Sequence, residues 1–163
     1  MILTNRPFHH RQRHRGATLV EFALIVPILL AILLGTMEFG WMAKNKLQLS
    51  NAVREGARDA SIGLNIDTIK TRIRNRAAGL PGVPDKLIID LQRDDNDDAN
   101  GYSYDIPLGN KSANADGKIY NDAPSGALIR VRVTLPHQSL TNFPFTQGRT
   151  LQVEVIMRRE SGS

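Results

Sequence analysis

Residues 17–43 read ATLVEFALIVPILLAILLGTMEFGWMA, and this stretch decides the architecture. No charged residue occurs from Phe22 through Met37, and Glu21 and Glu38 bracket the run. At roughly 1.5 Å of rise per residue a helix of this length spans about 40 Å, enough to cross a hydrocarbon core about 30 Å thick. A helix apolar on every side is a membrane span or the centre of a large soluble core. A cleaved secretory signal would be shorter, about 7–15 apolar residues followed by an A-x-A type site. Gly35-Thr36-Met37-Glu38-Phe39 offers no such site. The segment therefore reads as a transmembrane helix.

What lies before it fixes its direction. Residues 1–16 contain Arg6, Arg11, Arg13 and Arg15, together with His9, His10 and His14, and no acid. Basic residues on the N-terminal flank predict a cytoplasmic N terminus and translocation of everything after the span. Of the formal charge of +5, only +1 remains once these four arginines are set aside. The basic character is thus a property of the leader, and a nucleic-acid partner is not expected. Aromatic residues make up only 6% of the chain, too few for an evident base-stacking surface. Cysteine is absent, which excludes disulfides, thiolate metal sites and cysteine nucleophiles.

Glu21 is the informative residue. A carboxylate in an apolar helix costs on the order of 2.5–3.5 kcal/mol near the bilayer centre and less toward the interface, so it normally has a partner. It stands in the setting Arg15-Gly16-Ala17-Thr18-Leu19-Val20-Glu21-Phe22. A basic leader, a glycine, four uncharged residues and Glu-Phe resembles the processing site of the type IV prepilin superfamily. Arg15-Gly16, Val20-Glu21-Phe22-Ala23-Leu24, Pro27, Glu38-Phe39-Gly40 and Ala52-Val53-Arg54-Glu55-Gly56-Ala57-Arg58 together look like the N-terminal region of TadE-like proteins. These are minor pseudopilins of the tight-adherence (Tad, or Flp) pilus system. The C-terminal LQVEVIMR of residues 151–158 is similar to the end of the same family, whereas residues 80–125 carry no resemblance.

The resemblance implies that a prepilin peptidase cuts between Gly16 and Ala17, and that Glu21 with Phe22 serves assembly and register as the fifth and sixth residues of the mature chain. It also implies partners: the peptidase, other Tad pilins and pseudopilins through the hydrophobic helix, an inner-membrane assembly platform and the lipid bilayer. A new ammonium at Ala17 would sit one helical turn from the Glu21 carboxylate, or within reach of a neighbour's. Charge pairs are stronger in low dielectric than in water, so such a pair can set axial register. Pro27 removes one backbone donor opposite Ala23, so a kink or loosening is expected there. Glu38, Phe39, Gly40 and Trp41 read as the far membrane interface.

Beyond the span the helical period continues. Met42, Leu49, Ala52, Val53, Gly56 and Ala60 share one face, and Gly63 and Asn65 should end the helix. The small residues Ala52, Gly56, Ala57 and Ala60 would permit close packing. A second helix follows, capped by Asn65 or Asp67, with Ile66, Ile69, Ile73 and Ala77 inward and stopping at Gly79-Leu80-Pro81-Gly82. Its Lys70, Arg72, Arg74 and Arg76 read as a solvated face. After Pro84 the period changes to two, in Leu87–Leu91, Ile129–Leu135 and Leu151–Met157. Pairing the last two segments would bring Glu154 near Arg130 or Arg132. The expected fold is α+β. A basic leader (1–16) and a transmembrane helix (17–43) lead into an exported domain (44–163) with a second helix and a mostly antiparallel sheet of three to four strands.

Linkers are expected at 79–85, 94–126 and 136–149. The long middle one opens on Asp94-Asp95-Asn96-Asp97-Asp98, a cluster that invites calcium. The EF-hand pattern fails, because Ala99 stands where glycine is needed and no Glu closes the loop, so no metal is expected. His137 is the only histidine outside the leader, and no G-x-S-x-G elbow or phosphate-binding glycine loop accompanies it. No catalytic residues and no cofactor are expected. The functional reading is a minor pilin of the bacterial inner membrane, single-pass, reaching the pilus after assembly and acting in assembly, adhesion or at the tip. The alternative is a signal-anchored periplasmic enzyme or sensor.

Overall fold

The computed structural model describes residues 14–94, 106–109, 117, 119–141 and 148–160, with side chains described from Gly16 onward. Six elements follow in order: α1 (His14–Ser61), α2 (Ile66–Ala77), β1 (Ile88–Asp94), β2 (Ile106–Pro107), β3 (Leu128–Pro136) and β4 (Thr150–Arg158). The strands form one antiparallel sheet in the order β2-β1-β3-β4. This is the expected α+β arrangement, with the sheet at four strands. By contacts the chain divides into two compact units, Met1–Met37 and Glu38–Ser163. Glu38–Ala43, which hydropathy groups with the span, falls in the second unit.

In the first unit every residue of the most apolar window of α1 faces outward, with Leu19, Phe22, Leu24, Ile28 and Leu33 among the exposed side chains. α1 runs through Pro27 without a break. Thr36, the hydroxyl within this run, donates its proton back to the backbone, with Oγ1 2.5 Å from the Ile32 carbonyl and 3.1 Å from that of Leu33. A polar side chain is thereby satisfied locally, as an apolar environment requires.

The core of the second unit joins both helices to one face of the sheet. Leu49, Ala52, Val53, Ala57 and Ala60 of α1, Ile66, Ile69, Ile73 and Ala77 of α2, and Leu91, Ile129, Val131, Val133, Leu135 and Leu151 of the strands form one buried cluster. These are the inward positions that periods of 3.6 and 2 select. Gly56 allows the helices to approach, since a Cβ there would lie 2.4 Å from Cδ1 and Cγ1 of Ile73. Two ion pairs flank this contact, Arg72 to Asp59 and Arg76 to Glu55, each at 2.8 Å. Both arginines stay solvent-exposed, at 48% and 65%, as expected of this basic face, and also pair with acids of α1. Reading α2 alone could not show this, because both acids lie on another helix.

α1 ends in a Schellman turn. Gly63, at φ +85°, donates to Ala60 and Leu64 donates to Asp59. Further donors come from elsewhere: Asn121 Nδ2 adds a second bond to Ala60 O at 2.6 Å, while Arg159 Nη1 and Glu160 N both reach Ser61 O at 2.9 Å. A guanidinium at this position also complements the negative end of the helix dipole. Asn65 caps α2, its side-chain oxygen accepting from Thr68 N–H at 2.7 Å.

The linker expected over 94–126 contains ordered pieces. β2 pairs with β1 at its edge, where Pro107 can be accommodated without loss of a ladder bond. Gly109 N–H donates to Asp122 Oδ1 at 2.7 Å, and Arg93 pairs with Asp122 at 2.9 Å with both side chains largely buried. A two-residue strand is too short to leave a periodic signature, which is why the sequence pattern misses it. Asp95–Asp98, the remainder of the acidic cluster, lies outside the described residues. Among the described residues no group of three or more metal-ligating side chains converges.

Candidate functional site

Gly16, Ala17, Glu21, Phe22 and Pro27 all lie on the exposed first half of α1. A Cβ at Gly16 would meet nothing within 4 Å, so open space surrounds this peptide. Gly16 is helical here rather than extended. A single glycine costs a helix only about 1 kcal/mol, and no other breaker interrupts the turns on either side. Ala17 and Glu21, four residues apart, share a face one turn from each other. Phe22 is 65% exposed on the neighbouring face. The helix thus presents a glycine, a carboxylate and a continuous apolar surface, exposed among the described residues.

A second polar site, which the sequence reading does not anticipate, opens the second unit. Glu38, expected at a membrane interface, is fully buried within its own unit. The segment after β3 wraps its carboxylate. Leu140 N–H is 3.1 Å from both oxygens, and Thr141 donates through N–H at 3.0 Å and through Oγ1 at 2.9 Å to Oε2. His137 Nε2 lies 3.2 Å from Oε1, and the Ser139 side chain adds a further hydrogen bond. A carboxylate only accepts, so His137 Nε2 carries the proton in this contact. Its Nδ1 is buried and has no hydrogen-bond partner among the described residues.

This seat is built from consecutive backbone N–H groups and small hydroxyls, the arrangement that makes an anion nest. Burying a charge without such partners would cost several kcal/mol, and the surrounding donors offset that cost. Its chemical capacity is to hold, since a carboxylate enclosed by donors and shut from solvent has no route to a substrate. Next to it, Trp41 is half-buried with Lys44 Nζ 4.7 Å from its ring centroid, a cation–π contact. One sequence signal could have pointed to the seat: His137-Gln138-Ser139-Leu140-Thr141 is a polar cluster directly after a strand.

Taken together, a long outward-facing apolar helix and an α+β unit suggest a membrane-anchored protein. Residues 16–58 match the family model of TadE-like proteins, and this match supports a TadE-like protein of the Tad pilus system. The matched segment lies within α1 and includes Gly16, Glu21, Pro27, Glu38 and Gly56. No curated protein and no solved structure matches the chain. The family suggests a Tad pilus-related minor pilin that interacts with other pilus components, and such pilus proteins are in general non-enzymatic.

Proposed function

We propose that this protein is a minor pilin or pseudopilin of a Tad pilus, inserted through residues 17–37 and cut by a prepilin peptidase between Gly16 and Ala17. About 30 Å of helix in that segment matches a hydrocarbon core. Glu21 then meets an α-ammonium, its own or a neighbour's, and fixes axial register while the apolar helix packs laterally against other pilin helices and the assembly platform. Phe22 packs beside that pair, and Pro27 lets the helix adapt between bilayer and bundle. The orientation is cytoplasmic at the N terminus, with the second unit exported, and the protein reaches the filament or its tip after assembly.

The observation that carries this reading is the position of Gly16 and Glu21 at the head of an uncovered apolar helix within the TadE-like match. Replacement of the two residues separates their roles. Gly16→Leu should leave the leader attached, whereas Glu21→Ala should still be cut but fail to support pili. A Glu21→Ala strain that assembles pili at the normal level would refute the register role.

A further inference from the structure

Among the described residues, the two edges of the sheet are finished differently. One edge is β2, two residues long and ending in Pro107, a common way of blunting an edge. The other is β4, nine residues in unbroken register with β3 from Thr150 to Arg158. TLQVEVIMR contains no Pro, Gly or Lys, and its two charged residues, Glu154 and Arg158, are of opposite sign. The apolar row of β4 is also incompletely covered: Val153, Val155 and Met157 are half-buried, while Ile129, Val131 and Val133 of β3 are fully buried.

Which atoms face that open edge follows from the ladder. Arg149 O accepts from His137 N–H and Arg159 N–H donates to Ala127 O, so odd-numbered residues turn their main-chain groups toward β3. By alternation, Gln152, Glu154, Ile156 and Arg158 turn theirs outward. The side chains of these four residues are also the exposed ones, and Ile156 is 46% exposed.

We propose that β4 pairs antiparallel with β4 of a second copy of this chain about a two-fold axis at Ile156. That register sets Ile156 against its own symmetry mate, Glu154 opposite the partner's Arg158, and Arg158 opposite the partner's Glu154. All three are residues whose outward N–H and C=O can exchange both hydrogen bonds of an antiparallel pair. On the inner face Val155 meets the partner's Met157, covering the half-open row. Charge selects this register over its neighbours. An axis at Glu154 opposes two carboxylates, one at Val155 leaves both charges facing uncharged residues, and one at Met157 sets Glu154 against the partner's Glu160. Arg158 pairs with no acid among the described residues, whereas Glu154 already holds Arg132 at 2.8 Å. The isologous contact this creates has the symmetry of most homodimers. It involves only the exported unit and does not depend on processing at Gly16.

The absence of native cysteine makes the test clean. Directly opposed, hydrogen-bonded residues have Cα atoms about 5.5 Å apart, within the disulfide range of about 4.4–6.8 Å. The full chain carrying Ile156→Cys, in native membranes and in detergent, should oxidise to a reducible homodimer as its main product. Gln152→Cys should stay monomeric under the same conditions, because the two copies of that residue lie on opposite sides of the axis, about 27 Å apart at 3.4 Å per residue. An equal mixture of Glu154→Cys and Arg158→Cys chains should form the mixed dimer, which covers a failure of the Ile156 variant to fold. Arg158→Glu should weaken self-association of the otherwise native chain at least tenfold by sedimentation, and adding Glu154→Arg should restore it. No disulfide in any of these chains, or disulfides only to other proteins, overturns the proposal. So does equal crosslinking of Gln152→Cys.

Discussion

Glu38 and His137 lie 99 residues apart in the chain and 3.2 Å apart in space, neither side chain exposed. The contact fastens the first turn of the second unit to the segment that follows β3. Removing the carboxylate strands several buried donors at once, each worth about 1–3 kcal/mol when unsatisfied. Glu38→Ala should therefore lower stability by about 3–5 kcal/mol, the range for breaking a buried pair from one side. Glu38→Gln, which keeps one acceptor oxygen, should cost less. Urea unfolding of the detergent-solubilised chain, followed through the single Trp41, reads both variants. Equal stabilities for Glu38→Ala and the native chain would show that the seat holds nothing.

Gly56 and Ile73 make the second test. Because the space for a Cβ is already filled by a fully buried isoleucine, Gly56→Ala should destabilise by about 1–3 kcal/mol despite its better helix propensity. Ile73→Val alone costs about 0.5–1.5 kcal/mol. The double variant should be more stable than the sum of the two losses implies, since the second change makes room for the first. Strict additivity in the same unfolding assay would mean that the helices do not meet there.

Gly63 combines a left-handed φ of +85° with the Arg159 guanidinium packed where a side chain would project. Gly63→Ala should cost more than about 1 kcal/mol, the usual strain of a non-glycine residue in that region. Arg159→Met should lose less, because two other donors still serve the end of α1. Thermal melts of the two variants would rank them.

The exposed Arg132–Glu154 pair marks the low end of the scale. It joins registered neighbours of β3 and β4 at 2.8 Å, yet a third of each side chain meets solvent. A double-mutant cycle should return about 0.2–1 kcal/mol and shrink in high salt. A coupling above about 2 kcal/mol would contradict that solvation.

Local periodicity made much of this fold legible. The inward rows of α1, α2, β1, β3 and β4 were readable because each needs only its own spacing, and the Arg132–Glu154 contact followed from pairing two such rows. What escaped was decided at long range. Glu38 read as an interface acid because its partners lie about a hundred residues later, in a segment whose polarity suggested only a loop. Arg72 and Arg76 are solvent-facing as expected, but their pairing with Asp59 and Glu55 was not legible, because those acids belong to another helix. Gly16 and Glu21 stand out for a different reason: an acid and a glycine at the head of an apolar run are conspicuous where everything else is uniform, and their roles remain part of the proposal.

On the proposed function the mature protein begins at Ala17. Intact-mass and N-terminal peptide spectrometry of the protein recovered from membranes and sheared pili of producing cells tests it most directly. The expected result is a chain lacking residues 1–16, and its loss in Gly16→Leu cells. A population in pilus-producing cells that retains residues 1–16, or that is cut after the apolar run, would contradict the account.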